Sequence, residues 1–459
     1  MSRYLFSVEE IDNLLEDYNS SCNQLNVKGI DRVFIWDETL RDGEQTPGVF
    51  LTPDEKIDIA KVMDEIGIAM AVVGFPAVSE GERRSVSAIL KEGFSKISIM
   101  GIARPRISDI DACIQCGCKE IVIFMPISDL MMEIFKLSRE EELRVMSDSL
   151  DYARDHGLTV NWVSEDSSRS RFDHLINVYS TALDHHAKRI IFSDTVGVLF
   201  PETTGYMIDR IRIALNRKDL QIGFHGHNDF GLAVANTIQS VFHGSLYPHV
   251  CINGYGERAG NAAFEEVVLN LERIGIKTGI KLDKITELSA LTEKYFGLPL
   301  SAHKPIVGYN AFSHESGLHI NAILAHPKSY EPLNPKIVGR TRKFYIGKFS
   351  GSGAIVNAIK TKLNLLNLDI PDELIKKFVK QIKSTYENSN KEKQREMFQT
   401  VKHLLAEITG GLSDTQFFQL LRQVMGAYGD SEWKRVIESK MKEKNHGPNQ
   451  NDSEGQKHD

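Results

Sequence analysis

In "FHGHND", His225 and His227 stand two residues apart at the end of an apolar run. On an extended segment such residues face the same side, so both imidazoles can reach one ion. A second cluster, "DETLRDGEQ", packs Asp37, Glu38, Arg41, Asp42, Glu44 and Gln45 into nine positions, again after an apolar run. Asp42 can add a carboxylate to the two histidines. Two His and one carboxylate suit a divalent ion such as Zn, Mn or Mg acting as a Lewis acid, with positions left for substrate. Glu165 and Asp166 in "SEDSSRS", and Asp194 and Thr195 in "SDTVG", extend the polar set. A helix start would also account for the two acids of "SEDSSRS". In "GERAGNAA", Asn261 is either a weak fourth ligand, a hydrogen-bonding neighbour of the ligands, or part of a loop that needs glycine geometry.

These clusters need elements to bring them together. Eight apolar runs rich in Val, Ile and Phe recur at 32–36, 69–74, 96–101, 120–125, 158–163, 189–193, 220–224 and 249–254. They lack clean alternation, as expected of parallel strands buried on both faces. Helical patterns separate them. In "LTPDEKIDIAKVMDEIG", Thr52 is a helix N-cap, Pro53 opens the first turn, Glu55 closes a capping box and Gly67 ends the helix. Eight alternations over some 225 residues predict a (β/α)8 TIM barrel, followed by a smaller helical C-terminal region. An open doubly wound sheet would show fewer strands and a glycine-rich first turn, which is absent. On this reading every polar cluster falls at the C-terminal ends of strands, the rim where barrel enzymes place their chemistry. Residues 1–29 read as a polar leader with a helix around "SVEEIDNLLEDY", 30–285 as the barrel, and 286–365 as a linker and lid. Residues 366–440 read as a helical subdomain and 441–459 as a disordered tail.

The bulk composition narrows the class. A net charge of -7, from 55 Lys plus Arg against 62 Asp plus Glu, argues against a nucleic-acid surface. No apolar run is long enough to cross a bilayer, and no basic-then-apolar signal pattern opens the chain, so a cytoplasmic location is expected. The five cysteines fit a reducing compartment. "CIQCGC" has one C-x-x-C pair without a second, and reads as the end of an amphipathic helix entering a strand rather than a metal site.

Six ordered motifs carry a family likeness: "DETLRDGEQTPGV", "SEDSSRSRFDHL", "SDTVG", "HGHND", "GERAGNAA" and "AFSHESGLHINAIL". Over residues 30–360 the chain resembles the acyl-CoA-dependent 2-oxo-acid synthases: the isopropylmalate, homocitrate, citramalate and Re-type citrate synthases, relatives of hydroxymethylglutaryl-CoA lyase. The resemblance implies a Claisen condensation of acetyl-CoA with a 2-oxo acid, in which a metal polarises the keto group and thioester hydrolysis releases CoA. It implies metal binding by Asp42, His225 and His227, charge stabilisation by Arg41, and an acid/base pair of Glu165 and His319. It places Thr195 on the substrate carboxylate, Gln45 near the acyl group, and Tyr330 on the cover, with His314 a candidate CoA contact. In that family the region after the barrel covers a neighbouring subunit's site, so a domain-swapped homodimer is implied. Arg104, after the third strand, stands where homocitrate synthases hold a distal carboxylate, which points to 2-oxoglutarate first and oxaloacetate second. The sequence departs from the family pattern at Met131 and Phe349, both positions where histidine is usual.

Overall fold

The structure is a computed structural model that describes residues 30–363, 369–426 and 432–445. The expected leader with its helix, Cys22 and residues 446–459 lie outside the described residues. Eight strands form a closed parallel barrel in chain order. They are β1 (Trp36–Asp37), β2 (Met70–Val72), β3 (Ser98–Ala103), β4 (Glu120–Pro126), β5 (Thr159–Glu165), β6 (Arg189–Asp194), β7 (Ile222–Gly226) and β8 (Tyr247–Val250). Closure is made by β1 against β8, with Trp36 paired to His249 and Asp37 to Val250. Helices fill every crossover, as the strand-helix alternation requires.

Strand period two divides the apolar residues into two layers. Ile35, Val73, Ile121, Ile123, Phe192 and Phe224 face the surrounding helices in one buried cluster. Trp36, Met70, Val72, Met100, Ile102, Val122, Ile191 and Tyr247 fill the barrel interior in another. The interior is thus plugged by side chains, and any cavity must open at the strand ends. The first crossover helix, Pro53–Ile66, forms as its sequence predicts. Thr52 accepts from the Glu55 amide, the Glu55 carboxylate accepts from the Thr52 amide at 2.8 Å, and Gly67 adopts φ 104°. A cap of this kind contributes about 1 kcal/mol. Cys113 and Cys116 end the helix Ile107–Cys116, Gly117 turns the chain at φ 92°, and Cys118 leads into β4.

Several strand boundaries differ from expectation. In the run 32–36 the ladder is regular only at Trp36–Asp37; before it, Val33 and Phe34 donate singly to the Lys277 and Leu246 carbonyls. Strands β5, β6 and β7 run on to include Glu165, Asp194 and His225, so these polar residues close strands rather than follow them. The eighth strand begins at Tyr247 and stops at Val250, because Asn253 takes φ 62° and turns the chain. Asn253 is held there by its amide donating to Glu265 and its side chain donating to the Ser289 carbonyl.

The chain divides into two compact units, Met1–Gln394 and Arg395–Asp459. In the first, a two-stranded sheet, β9 (Ser313–His314) with β10 (Lys343–Phe344), and helices Gly317–Ala325, Ser352–Lys362 and Asp372–Glu387 follow the barrel. The second holds most of the helix Glu392–Thr409, then Asp414–Gly426 and Glu432–Asn445. Helix therefore continues past residue 440, into the stretch expected to be a disordered tail. Among the described residues no helix is long and apolar enough to cross a membrane.

Candidate active site

A cavity of about 230 Å³ opens at the C-terminal ends of the barrel strands. Asp42, His225 and His227 converge in it. The Asp42 Oδ2 lies 3.2 Å from His225 Nε2 and 3.8 Å from His227 Nε2, and the two Nε2 atoms are 3.2 Å apart. All three residues are buried. Burial, then the neighbouring His225, pushes the His227 pKa down to about 4, so its imidazole is neutral and its lone pair is available at neutral pH. Burial opposes ionisation of Asp42, but Arg41 and the two histidines outweigh it and keep the carboxylate charged. One carboxylate oxygen and two imidazole nitrogens are the donors that a borderline divalent ion takes.

Asn261 stands beside them. Its side-chain N–H donates to the Tyr255 carbonyl at 3.1 Å, while its Oδ1 is buried and has no partner. His227 Nδ1 is likewise buried and unpartnered. A buried polar atom left alone costs free energy, so the Asn261 Oδ1 fits the surroundings of a bound ion, whereas His227 Nδ1 is the ring nitrogen other than the Nε2 that faces Asp42. The loop carrying Asn261 is zipped to "HGHND": Asn228 donates to the Gly260 carbonyl at 2.9 Å and Ala262 to the Gly226 carbonyl at 3.2 Å. Gly260 has φ 84°, and a Cβ there would lie 2.0 Å from the Gly254 carbonyl oxygen. Gly260→Ala is therefore expected to destabilise the fold by about 1–3 kcal/mol, the usual cost of such strain. Denaturant unfolding of the variant against the parent checks this, and an unchanged midpoint would refute the assigned role.

Arg41 lies against both carboxylates. Its Nε and Nη2 reach Glu38 Oε2 at 2.9 and 2.7 Å, and its Nη1 is 3.3 Å from Asp42. Glu165 closes β5 and lines the cavity. Burial, then the charge of Asp166, raises its pKa, against the pull of Arg41 and His225. A carboxylate so placed is a better proton acceptor than one in water. Asp166 is separated from it by the strand's alternation. It adopts φ 59°, binds Arg169 through both oxygens, and accepts from Ser128 at 2.5 Å. Its amide donates to Thr195 Oγ1 at 2.8 Å. That leaves the Thr195 hydroxyl proton for a ligand, since a hydroxyl donates once and accepts twice. Gln45 and Thr195 both line the cavity. Asp194 does not; its oxygens accept from the Val198 and Leu199 amides and shape the turn after β6.

Four sequence candidates sit elsewhere. Arg104 forms a two-point pair with Asp109, at 2.6 and 3.2 Å, and lies outside the cavity lining. The lining on that side is Phe75, Ile102, Phe124 and Val163. His319, on the helix Gly317–Ala325, stacks on Tyr330 with ring centres 4.1 Å apart, and neither lines the cavity. His314 faces Glu331 at 3.9 Å, and Glu331 is clasped by Arg342. Met131 and Phe349 are also absent from the lining. Five polar lining residues carry no role in the sequence reading: Glu38, Ser193, His249, Glu257 and Arg258. Arg258 clamps Asp229 through two nitrogens and donates to the Thr195 carbonyl at 2.6 Å. Glu38 lies inside the charged run already quoted, and only the β1–β8 closure reveals its neighbour His249.

A family model described as HMGL-like matches residues 32–292, and one described as homocitrate synthase post-HMGL domain-like matches 306–391. The homocitrate synthase AksA of Methanopyrus kandleri is 42% identical over 356 residues, covering 77% of this chain and 88% of the relative. The 2-isopropylmalate synthase of Methanocaldococcus jannaschii is 41% identical over 400 residues, covering 86% and 75%. A putative (R)-citramalate synthase, CimA of Methanopyrus kandleri, is 41% identical over 355 residues, covering 77% and 69%. Among solved structures, the HMG-CoA lyase of Bacillus subtilis superposes with a TM-score of 0.52 at 21% identity over 59% of this chain and 95% of that one, a likeness of fold.

Proposed function

Since the chain belongs to the HMGL-like family, we propose that it is an acyltransferase condensing acetyl-CoA with a 2-oxo acid and releasing CoA. The observation that carries this reading is the meeting of Asp42, His225 and His227 with Arg41 and Glu165 in one cavity. A divalent ion held by Asp42, His225 and His227, with Asn261 alongside, supplies Lewis-acid polarisation of the 2-oxo acid. The chain supplies the rest. The Thr195 hydroxyl donates to the substrate carboxylate. Glu165, with its raised pKa, takes a proton from the acetyl methyl group. The Arg41 guanidinium lies where negative charge grows during carbon–carbon bond formation. Gln45 orients the acyl group, and His319, brought by a lid, serves as the partner acid.

The side chain of the 2-oxo acid meets the wall of Phe75, Ile102, Phe124 and Val163. An ionised distal carboxylate set against that wall would lose its hydration without a partner, at a cost of several kcal/mol. Arg104 supplies no pairing while Asp109 holds it. The geometry therefore favours a compact apolar 2-oxo acid, such as pyruvate or 2-oxoisovalerate. The homocitrate-type reading, with 2-oxoglutarate, requires Arg104 to leave Asp109. A thiol-release assay across the four 2-oxo acids separates the two. We expect pyruvate or 2-oxoisovalerate to exceed both dicarboxylates by at least tenfold in kcat/KM. Arg104→Ala is expected to leave that ratio within about threefold, because its pair with Asp109 ties the rim and not the substrate. Faster turnover of 2-oxoglutarate, lost in Arg104→Ala, would restore the homocitrate-type reading. No CoA release with any 2-oxo acid would remove the condensation itself.

A further inference from the structure

Glu38 and His249 line the floor of the cavity, and the reaction outlined above gives neither a part. The barrel's closing seam brings them together: Trp36 of β1 pairs with His249 of β8, and their rings stack at 4.4 Å with planes 16° apart. Room for the imidazole comes from Gly223 on the facing strand, where a Cβ would stand 3.2 Å from His249 Nε2. The Trp36 indole N–H donates to Glu38 Oε1 at 3.0 Å, and His249 Nδ1 lies 3.3 Å from the same oxygen. The other oxygen, Oε2, accepts from Arg41 through Nε at 2.9 Å and Nη2 at 2.7 Å. Glu38 is 1% exposed. Its carboxylate is thus hydrogen-bonded on one side by the Trp36 indole, with His249 near but not bonded to it, and on the other engages two of the three guanidinium nitrogens. Only the Nη1 edge of Arg41 is left to face Asp42.

We propose that Glu38, braced by Trp36, is a positioning residue that locks the Arg41 guanidinium onto the reacting centre. The proposal deepens the condensation reading and rests on it. Arginine presents a rigid planar fork on a flexible stem, so its value in a transition state depends on the fork being held before the charge appears. A buried carboxylate binding the Nε edge does this and leaves the opposite edge free. Glu38, His225 and His249 also lie close enough together to hold a cation. Charge balance disfavours that use. Arg41 and one divalent ion already balance the charges of Glu38, Asp42 and Glu165, and Glu38 is engaged by Arg41 and Trp36.

The test pairs Glu38→Gln, which keeps shape and an acceptor but removes the charge, with a readout on Arg41 itself. Among the exchange-protected arginine Nε–H resonances in a nitrogen–proton correlation spectrum of the metal-loaded wild type, we expect one that belongs to Arg41. It should be absent from Arg41→Lys, which assigns it, and lost in Glu38→Gln. The kcat of Glu38→Gln should fall at least tenfold, about 1.4 kcal/mol of barrier, with KM for the 2-oxo acid within threefold. Its metal content should stay that of the wild type. Trp36→Phe, which removes only the indole donor, should give a smaller fall in the same direction. A merely structural Glu38 would lower the melting temperature and leave the resonance and kcat in place, which overturns the proposal. Loss of one metal equivalent in Glu38→Gln overturns it in favour of a second ion. If the resonance behaves as expected while the wild type releases no CoA, the positioning stands and the condensation reading falls.

Discussion

His227→Ala is expected to bind no metal after gel filtration and to turn over at least a thousandfold more slowly than the parent. The reasoning starts from the donors. Among the described residues Asp42, His225 and His227 form one of two groups able to share an ion, and the other, Glu38 with His225 and His249, has its carboxylate engaged by Arg41. Losing one leaves an aspartate and one histidine, a pair that binds divalent ions weakly. His227 is also the donor most prepared for the task, with its pKa brought down to about 4 by burial and by His225, so that no proton need be displaced at neutral pH. Polarisation of a carbonyl by a bound ion supplies several kcal/mol, and roughly 4 kcal/mol corresponds to the thousandfold stated. Metal per chain by atomic emission, set beside thiol release, checks both halves. Full activity in metal-free His227→Ala would remove the metal from the mechanism.

How legible this site is in the sequence depends on the distance over which each contact is made. His225 and His227 are two residues apart on a strand, and a period of two is enough to bring their Nε2 atoms to 3.2 Å. Asp42 is legible once the chain is recognised as a barrel, because β1 and the later strands must end at one rim. The same logic misleads where neighbours in sequence are not neighbours in space. Glu165 and Asp166 read as one acidic pair, yet the strand ends between them; Glu165 lines the cavity and Asp166 turns away to Arg169. Arg104 occupies the rim as expected, but Asp109, five residues on, takes its guanidinium. Spacing predicts which end of the barrel a side chain reaches and does not predict which partner claims it. The Glu38–His249 contact is the furthest from view. It joins residues 211 positions apart through the strand pairing of Trp36 with His249, and a single unpaired histidine in an apolar run gives no signal of that.

His319 is expected to act on the cavity of a neighbouring chain. In its own chain it stacks on Tyr330, and the cavity is lined by barrel residues without either of them. Both rings nevertheless follow a motif that, by resemblance, covers an active site. If that segment covers a neighbouring chain's site, a two-fold dimer would exchange the two segments symmetrically. His319→Ala and Asp42→Ala should each be nearly inactive, the first through loss of an acid/base group contributing roughly a hundredfold or more and the second through loss of a metal ligand. Mixed and allowed to exchange, they should recover activity. Random pairing makes about half of the dimers hybrids, and each hybrid carries one site with an intact barrel and an intact lid, so about a quarter of all sites become competent. A lid acting within its own chain predicts none, because every site then lacks one residue or the other. Differently tagged chains establish exchange by co-purification, independently of activity. Hybrids that form and remain inactive would place His319 in its own chain or outside the reaction. Activity near a quarter of the wild-type value would fix it in trans and make the dimer the smallest working unit.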